Sequence, residues 1–210
     1  MNMMRGLLGE FGIHMPQGIE RVLVMSRQIV EREKMPDVPA ECLKVMSTLS
    51  RHALDLHSDL RDIERNITLW QRKSDIACRL MTIPGIGPIG ASAFASSVAD
   101  PHQFRSGREF AAWLGLTPRQ NSSGGKERLG SITKMGDRYL RRLLVLGMTA
   151  LVRSAKYRPD RADPRYVDLL MRKPMRVATV AMANKTARIV WAVMTRNETY
   201  RADHLPALAA

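Results

Sequence analysis

The chain has 210 residues, 45% of them hydrophobic, which suits one sizeable domain or two small ones and excludes general disorder. Its 33 Lys+Arg against 20 Asp+Glu leave a net charge of +13, the footprint of a polyanionic partner such as nucleic acid. Only two cysteines occur, Cys42 and Cys78, so a disulfide framework and a Cys-based zinc site are excluded and a reduced cytoplasm is expected.

The amino end predicts a short helix over residues 2–11, closed by Gly12. It is no signal peptide, because Arg5, Gly6, Gly9 and Glu10 interrupt any apolar run. A turn at Met15-Pro16-Gln17 leads to a second helix over 19–34, the run Met35-Pro36-Asp37-Val38-Pro39 breaks it, and a third starts near Pro39, since a proline is tolerated in a first turn. That third helix carries the clearest periodicity in the chain. Cys42, Met46, Leu49, Ala53, Leu56, Leu60, Ile63, Ile67 and Trp70 alternate spacings of four and three, an a/d heptad seam. Two arrangements satisfy such a seam: a bundle with helix 19–34, or a coiled coil between protomers that would make the chain a homo-oligomer.

Residues 80–99 carry no charge, but Pro84, Gly85, Gly87 and Pro88 interrupt them, so no membrane span is predicted. The run Thr82-Ile83-Pro84-Gly85-Ile86-Gly87-Pro88, between two helical stretches, has the form of a helix-hairpin-helix. There Gly85 and Gly87 would let the backbone approach a phosphate, held by N–H groups at the new helix start. The same run also suits a tight helix–helix turn with no ligand. Ser106-Gly107-Arg108-Glu109 is a capping-box pattern opening a short helix that Gly115 ends. Residues 117–136 read as a polar loop, and Asp137 opens a helix to about residue 153. Residues 157–165, with Pro159 and Pro164, read as another loop, and a last helix spans about 174–196. The expected architecture is all-α, with a helical, coiled-coil region over 1–80 and a second domain over 81–210.

Charge is unevenly placed along this plan. Residues 1–80 are nearly neutral, whereas 119–142 hold seven cations and two acids, and 143–210 hold twelve and five. The loop over 117–136 is therefore the candidate site. Ser122 and Ser123 stand beside Gly124 and Gly125, with Arg119, Lys126, Arg128 and Lys134 around them and Arg138, Arg141 and Arg142 on the following helix. A serine becomes a phosphoryl nucleophile only when it is activated and the phosphate charge is neutralised, and these cations suit the second task. Serine beside glycine is also ordinary loop chemistry, and residue types alone favour that plainer reading. The five histidines show no metal-ligand spacing, no carboxylate pair marks a metal site, and no G-x-x-x-x-G-K-[ST] signature is present.

Several stretches together resemble one family. They are Ile83-Pro84-Gly85-Ile86-Gly87, Phe104 through Lys126 with its Trp113-Leu114-Gly115-Leu116-Thr117-Pro118-Arg119-Gln120 core, Ile132 through Arg141, and Ala183-Asn184-Lys185 with Ala187-Arg188-Ile189. The pattern is similar to that of the IS-110 family of transposases, which includes the Piv-like DNA invertases. The resemblance implies DNA transposition and site-specific recombination, with DNA and a structured guide RNA as partners. It also implies a resolvase-like amino-terminal domain whose four acidic residues bind magnesium, then a coiled coil, then a transposase domain with a serine nucleophile. Carried over, that nucleophile is Ser123, with Ser122 as the alternative. The segment from Met1 to Gly12 resembles the stretch just after the acidic domain. This chain is therefore expected to hold no cofactor itself, with magnesium belonging to the acidic domain. It is expected to bind nucleic acid without cutting it alone. A non-catalytic nucleic-acid-binding remnant or regulator is the alternative.

Overall fold

The computed structural model describes residues 2–31, 36–120 and 129–202. Helix dominates, as the sequence leads one to expect, and the chain divides into two compact units, Met1–Asn66 and Ile67–Ala210.

The first unit holds α1 (Asn2–Gly9), α2 (Ile19–Val30) and most of α3 (Ala40–Lys73). Its core is Met4, Leu8, Met15, Val22, Ile29, Cys42 and Met46. Helix α1 meets that core through Met4 and Leu8, four residues apart on one face, and α2 through Val22 and Ile29, with Leu23 and Ser26 also buried. The heptad seam divides along its length. Cys42 and Met46 lie inside the unit's core, whereas Leu56, Leu60 and Ile63 are 68%, 49% and 58% exposed.

The second unit adds α4 (Asp75–Leu80), α5 (Pro88–Ser97), α6 (Gly107–Trp113), β1 (Pro118–Gln120), β2 (Leu129–Ile132), α7 (Arg138–Tyr157), α8 (Pro164–Arg172) and α9 (Met175–Arg196). Ser74 breaks α3 from α4 by capping the new helix, its Oγ accepting the Ala77 N–H at 3.4 Å. Helix α9 is the hub, packing on α4, α6, α7 and α8. Its buried positions are mostly small or flexible: Ala178, Thr179, Met182, Ala183, Thr186, Ala187, Val190, Val193 and Met194. That composition lets neighbouring backbones come close, most tightly at Gly107, where a Cβ would lie 3.1 Å from the Arg188 Cα. Phe94, Phe104, Phe110 and Trp113 form an aromatic cluster beside it, with the Phe104 and Phe110 rings edge-on at 5.1 Å.

Two elements differ from the sequence reading. The stretch 117–136 contains a two-stranded antiparallel ladder, with Pro118 opposite Ile132 and Gln120 opposite Leu129. Residues 164–172 form a helix rather than a continuation of loop. Pro164 sits at its first position, where a proline has no N–H bond to lose, and Asp163 caps it, accepting the Arg165 N–H at 2.9 Å. Among the described residues no helix is long and apolar enough to cross a membrane.

Candidate nucleic-acid interface

Two turns of the second unit pack on α7, the first near Gly147 and the second through Arg141, and backbone crossings fix both. The first is Thr82–Gly87, between α4 and α5. Gly85 has φ +83°, a conformation costly for any residue with a Cβ, and its carbonyl presses on α7 where Gly147 leaves room. A Cβ on Gly147 would collide with the Gly85 carbonyl oxygen. Gly87 caps α5 in an extended conformation, and a Cβ there would meet nothing within 4 Å. The close approach at Gly85 is thus to the protein's own helix, and only Gly87 faces open space. Beside this turn lies a depression of about 220 Å³ lined by Ile86, Pro88, Ile89, Phe94 and Leu143.

The second turn carries β1 and β2. Below the strands the ladder continues, with Thr133 N–H donating to the Thr117 carbonyl at 2.9 Å and Lys134 N–H to the Gly115 carbonyl at 3.0 Å. The chain then crosses the end of α6 so closely that a Cβ on Gly136 would strike the Trp113 carbonyl oxygen. A Cβ on Gly115 would strike that of Met135. Two side chains lock this base. Arg141 donates from Nη1 to the Leu114 carbonyl at 2.9 Å and the Met135 carbonyl at 3.3 Å. Asn184 of α9 donates from Nδ2 to the Leu116 carbonyl at 3.0 Å. Asp137 caps α7, its Oδ1 accepting the Leu140 N–H at 2.9 Å. Across the way Ser106 caps α6, accepting the Glu109 N–H, while Glu109 turns back to accept the Arg105 N–H at 2.7 Å. A capping box would bring Glu109 back to the Ser106 N–H; here it reaches one residue further.

The nominated cations separate into two kinds. Arg119 is exposed and donates from Nη2 to the Thr133 carbonyl at 3.3 Å, stiffening the hairpin while keeping its charge in solvent. Lys134, Arg138 and Arg142 are exposed around the hairpin base, Lys134 with φ +58°. Arg141 is instead bound to main-chain carbonyls. Ser122, Ser123, Lys126 and Arg128 lie outside the described residues, in the sequence between β1 and β2.

Sequence reasoning passed over a second cluster. Asp163, Arg165, Tyr166, Lys185 and Tyr200 line a small cleft of about 20 Å³ beside Ile83 and Pro84. The Arg165 guanidinium donates from Nη2 to Asp163 at 2.6 Å and from Nε at 2.9 Å, and that hydrogen bonding holds the Asp163 carboxyl below the usual carboxylate range. Burial pushes the Tyr166 phenol up to about 12. Burial, then the charges of Arg165 and Arg188, hold the Lys185 ammonium below the ordinary lysine value. The signal for this cluster was the Asp-Pro-Arg sequence at 163–165, which encodes a cap and an ion pair together.

Among the described residues no group of three or more His, Cys, Asp or Glu comes together.

Similarity to known proteins falls on this same architecture. A family model described as the transposase IS116/IS110/IS902 family matches residues 77–163, from α4 to the start of α8. The chain is 43% identical over 201 residues to a probable family 20 transposase of Pseudomonas aeruginosa, covering 95% of this chain and 59% of that protein. It is 37% identical over 201 residues to the transposase for insertion sequence element IS1111A of Coxiella burnetii, covering 96% of this chain and 55% of that protein. It is also 37% identical over 199 residues to the transposase for insertion sequence element IS1328 of Yersinia enterocolitica, covering 95% and 58%. The chain spans between half and three-fifths of the length of the four curated relatives that it matches over nearly all of its own residues.

Proposed function

Because this chain belongs to the IS116/IS110/IS902 family of transposases, we propose that it supplies the DNA-gripping, serine-bearing part of a recombinase that moves an insertion sequence. The observation that carries this reading is the hairpin base. A ladder, two glycine crossings and the side chains of Arg141 and Asn184 fix it, and exposed Arg119, Lys134, Arg138 and Arg142 surround it. Cations carried on a fixed backbone neutralise phosphate with little rearrangement of the chain that bears them. Ser123, or Ser122 beside it, is the nucleophile in this reading. Its hydroxyl attacks a DNA phosphate, forming a serine–phosphate ester and releasing the leaving strand's hydroxyl. A structured guide RNA is a second nucleic-acid partner, and the exposed seam at Leu56, Leu60 and Ile63 joins protomers.

Duplex binding, followed by fluorescence anisotropy across a salt series, tests the grip. Each cation on a phosphate adds about 0.9 to the slope of log affinity on log salt. The triple variant Arg119→Gln, Arg138→Gln, Arg142→Gln is expected to lower that slope by about 2.7 and to remain folded. A slope unchanged from the parent would remove these residues from the interface. In a recombination-competent assembly, Ser123→Ala is expected to abolish the covalent DNA adduct while binding persists. If the adduct survives that change and disappears in Ser122→Ala, the nucleophile is Ser122. If it survives both, the serine assignment is lost and binding alone remains.

A further inference from the structure

Apart from Arg142 near its amino end, the outer face of α7 has no role in the reading above. Buried Leu140, Leu144, Met148, Val152 and Ala155 mark the core side of the helix. The side directly opposite carries Tyr139, Arg142, Leu146, Ala150, Arg153 and Tyr157, spaced three, four, four, three and four, and all six are exposed. Tyr139, Leu146 and Tyr157 are 55%, 54% and 68% exposed, far more than a helix in a packed unit needs to show. Arg153 and Lys156 each lie 5.9 Å from the centre of the Tyr157 ring. A shallow groove of about 530 Å³ runs along the carboxyl half of this face, from Leu146 to Arg158. Not one of the 20 residues of α7 is acidic. The nearest carboxylates at its ends are Asp137, engaged in capping, and Asp160 in the 3-10 turn that follows.

Each ingredient narrows the occupant. A second copy of this face would set cation against cation, so self-pairing is disfavoured. Phosphate binding by a duplex would use the arginines and lysine but not the rings or Leu146, because duplex bases are already stacked on one another. Exposed rings alternating with cations are what unpaired nucleotides use, with bases stacking on the rings and phosphates on the cations. We propose that the outer face of α7 is a track for single-stranded nucleic acid, in which Tyr139 and Tyr157 stack unpaired bases and Arg142, Arg153 and Lys156 hold the phosphates between them. At about 1.5 Å per residue the two tyrosines stand about 27 Å apart along the helix, room for several nucleotides. The track starts at the amino end of α7, beside the exposed cations of the hairpin base. This inference rests on the DNA-binding reading above.

The test compares labelled oligothymidylate, oligouridylate and a duplex, each titrated with the full chain. Tyr157→Ala is expected to weaken both single strands about tenfold and the duplex less than twofold, whereas Tyr157→Phe, which keeps the ring, retains the parent affinity. The double variant Arg153→Gln, Lys156→Gln is expected to lower the single-strand salt slope by about 1.4, a readout that Tyr157→Ala leaves unchanged. The proposal is overturned if Tyr157→Ala leaves single-strand affinity intact, if it weakens duplex equally, or if Tyr157→Phe is as defective as Tyr157→Ala. If oligouridylate alone responds to Tyr157→Ala, the strand received is RNA; if oligothymidylate alone does, it is DNA; either outcome supports the track. A chain that binds none of the three overturns the broader DNA-binding reading as well. A chain that binds duplex normally but is indifferent to Tyr157 loses the track only.

Discussion

Arg141 shows how residue type and residue role part company. In the sequence it is one of three arginines at the start of a helix beside a polar loop, indistinguishable from Arg138 and Arg142. In the structure its guanidinium ties the end of α6 to the strand that returns from the hairpin, through the Leu114 and Met135 carbonyls. Removing it leaves the part-buried Leu114 carbonyl short of a donor, while water can take its place at exposed Met135. Arg141→Ala is expected to cost about 1–3 kcal/mol, read as a lower urea midpoint at unchanged m-value. Arg141→Lys is expected to recover less than half of that, since the shorter lysine brings its ammonium short of the position where Nη1 meets both carbonyls, and an ammonium is more strongly hydrated. Asp163 gives a pH signature at the same scale. Its folded carboxyl titrates below the ordinary value because Arg165 binds the charged form. The stabilisation is therefore complete above an unfolded value of about 3.9 and is lost as pH falls through the lower folded value. Asp163→Asn is expected to flatten stability across that acid window, as followed by thermal melts at stepped pH. Asparagine keeps the cap, whereas Asp163→Ala removes it as well and is expected to cost about a further 1 kcal/mol at neutral pH.

At the scale of elements, the long periodic helices were legible and the elements set by tertiary bonds were not. Helices α3, α7 and α9 announce themselves because periodicity, caps and breakers agree. Strands β1 and β2 do not, since Pro118, Arg119 and Gln120 are all exposed and show no alternation. They are strands because Gly115, Gly136, Arg141 and Asn184 hold their bases, and those partners come from positions far apart in the chain. Helix α8 was hidden by reading Pro164 as a breaker where it is an initiator. Of the nominated site, Gly85, Gly87, Arg119, Lys134, Arg138 and Arg142 lie around the two turns, whereas the cleft formed by Asp163, Arg165 and Lys185 draws on α8 and α9, which no local pattern connects. Helix α3 carries its own prediction. Leu56, Leu60 and Ile63 continue a seam whose first positions are buried, and they are left in solvent. Leu60→Glu with Ile63→Glu is expected to turn a self-associated chain into a monomer by sedimentation velocity, with helix content unchanged by circular dichroism. A parent chain that already sediments as a monomer at micromolar concentration would remove the oligomer proposal.

At the scale of the whole molecule, the net charge of +13 is a stability term as well as a recognition term. Helix α7 concentrates it. Arg138 and Arg142 stand one turn apart, like charges that cost a helix about 0.2–0.5 kcal/mol, and both lie at the end where the backbone dipole is already positive. The free protein is thus held partly against its own field, and anything that supplies negative charge relaxes it. Melting is expected to move upward with added salt, and further with a polyanion such as heparin at equal ionic strength, by about 2–4 °C for each kcal/mol returned. A helix built without a single carboxylate therefore makes the protein without a polyanion the less durable form, the one that opens more often to proteolysis.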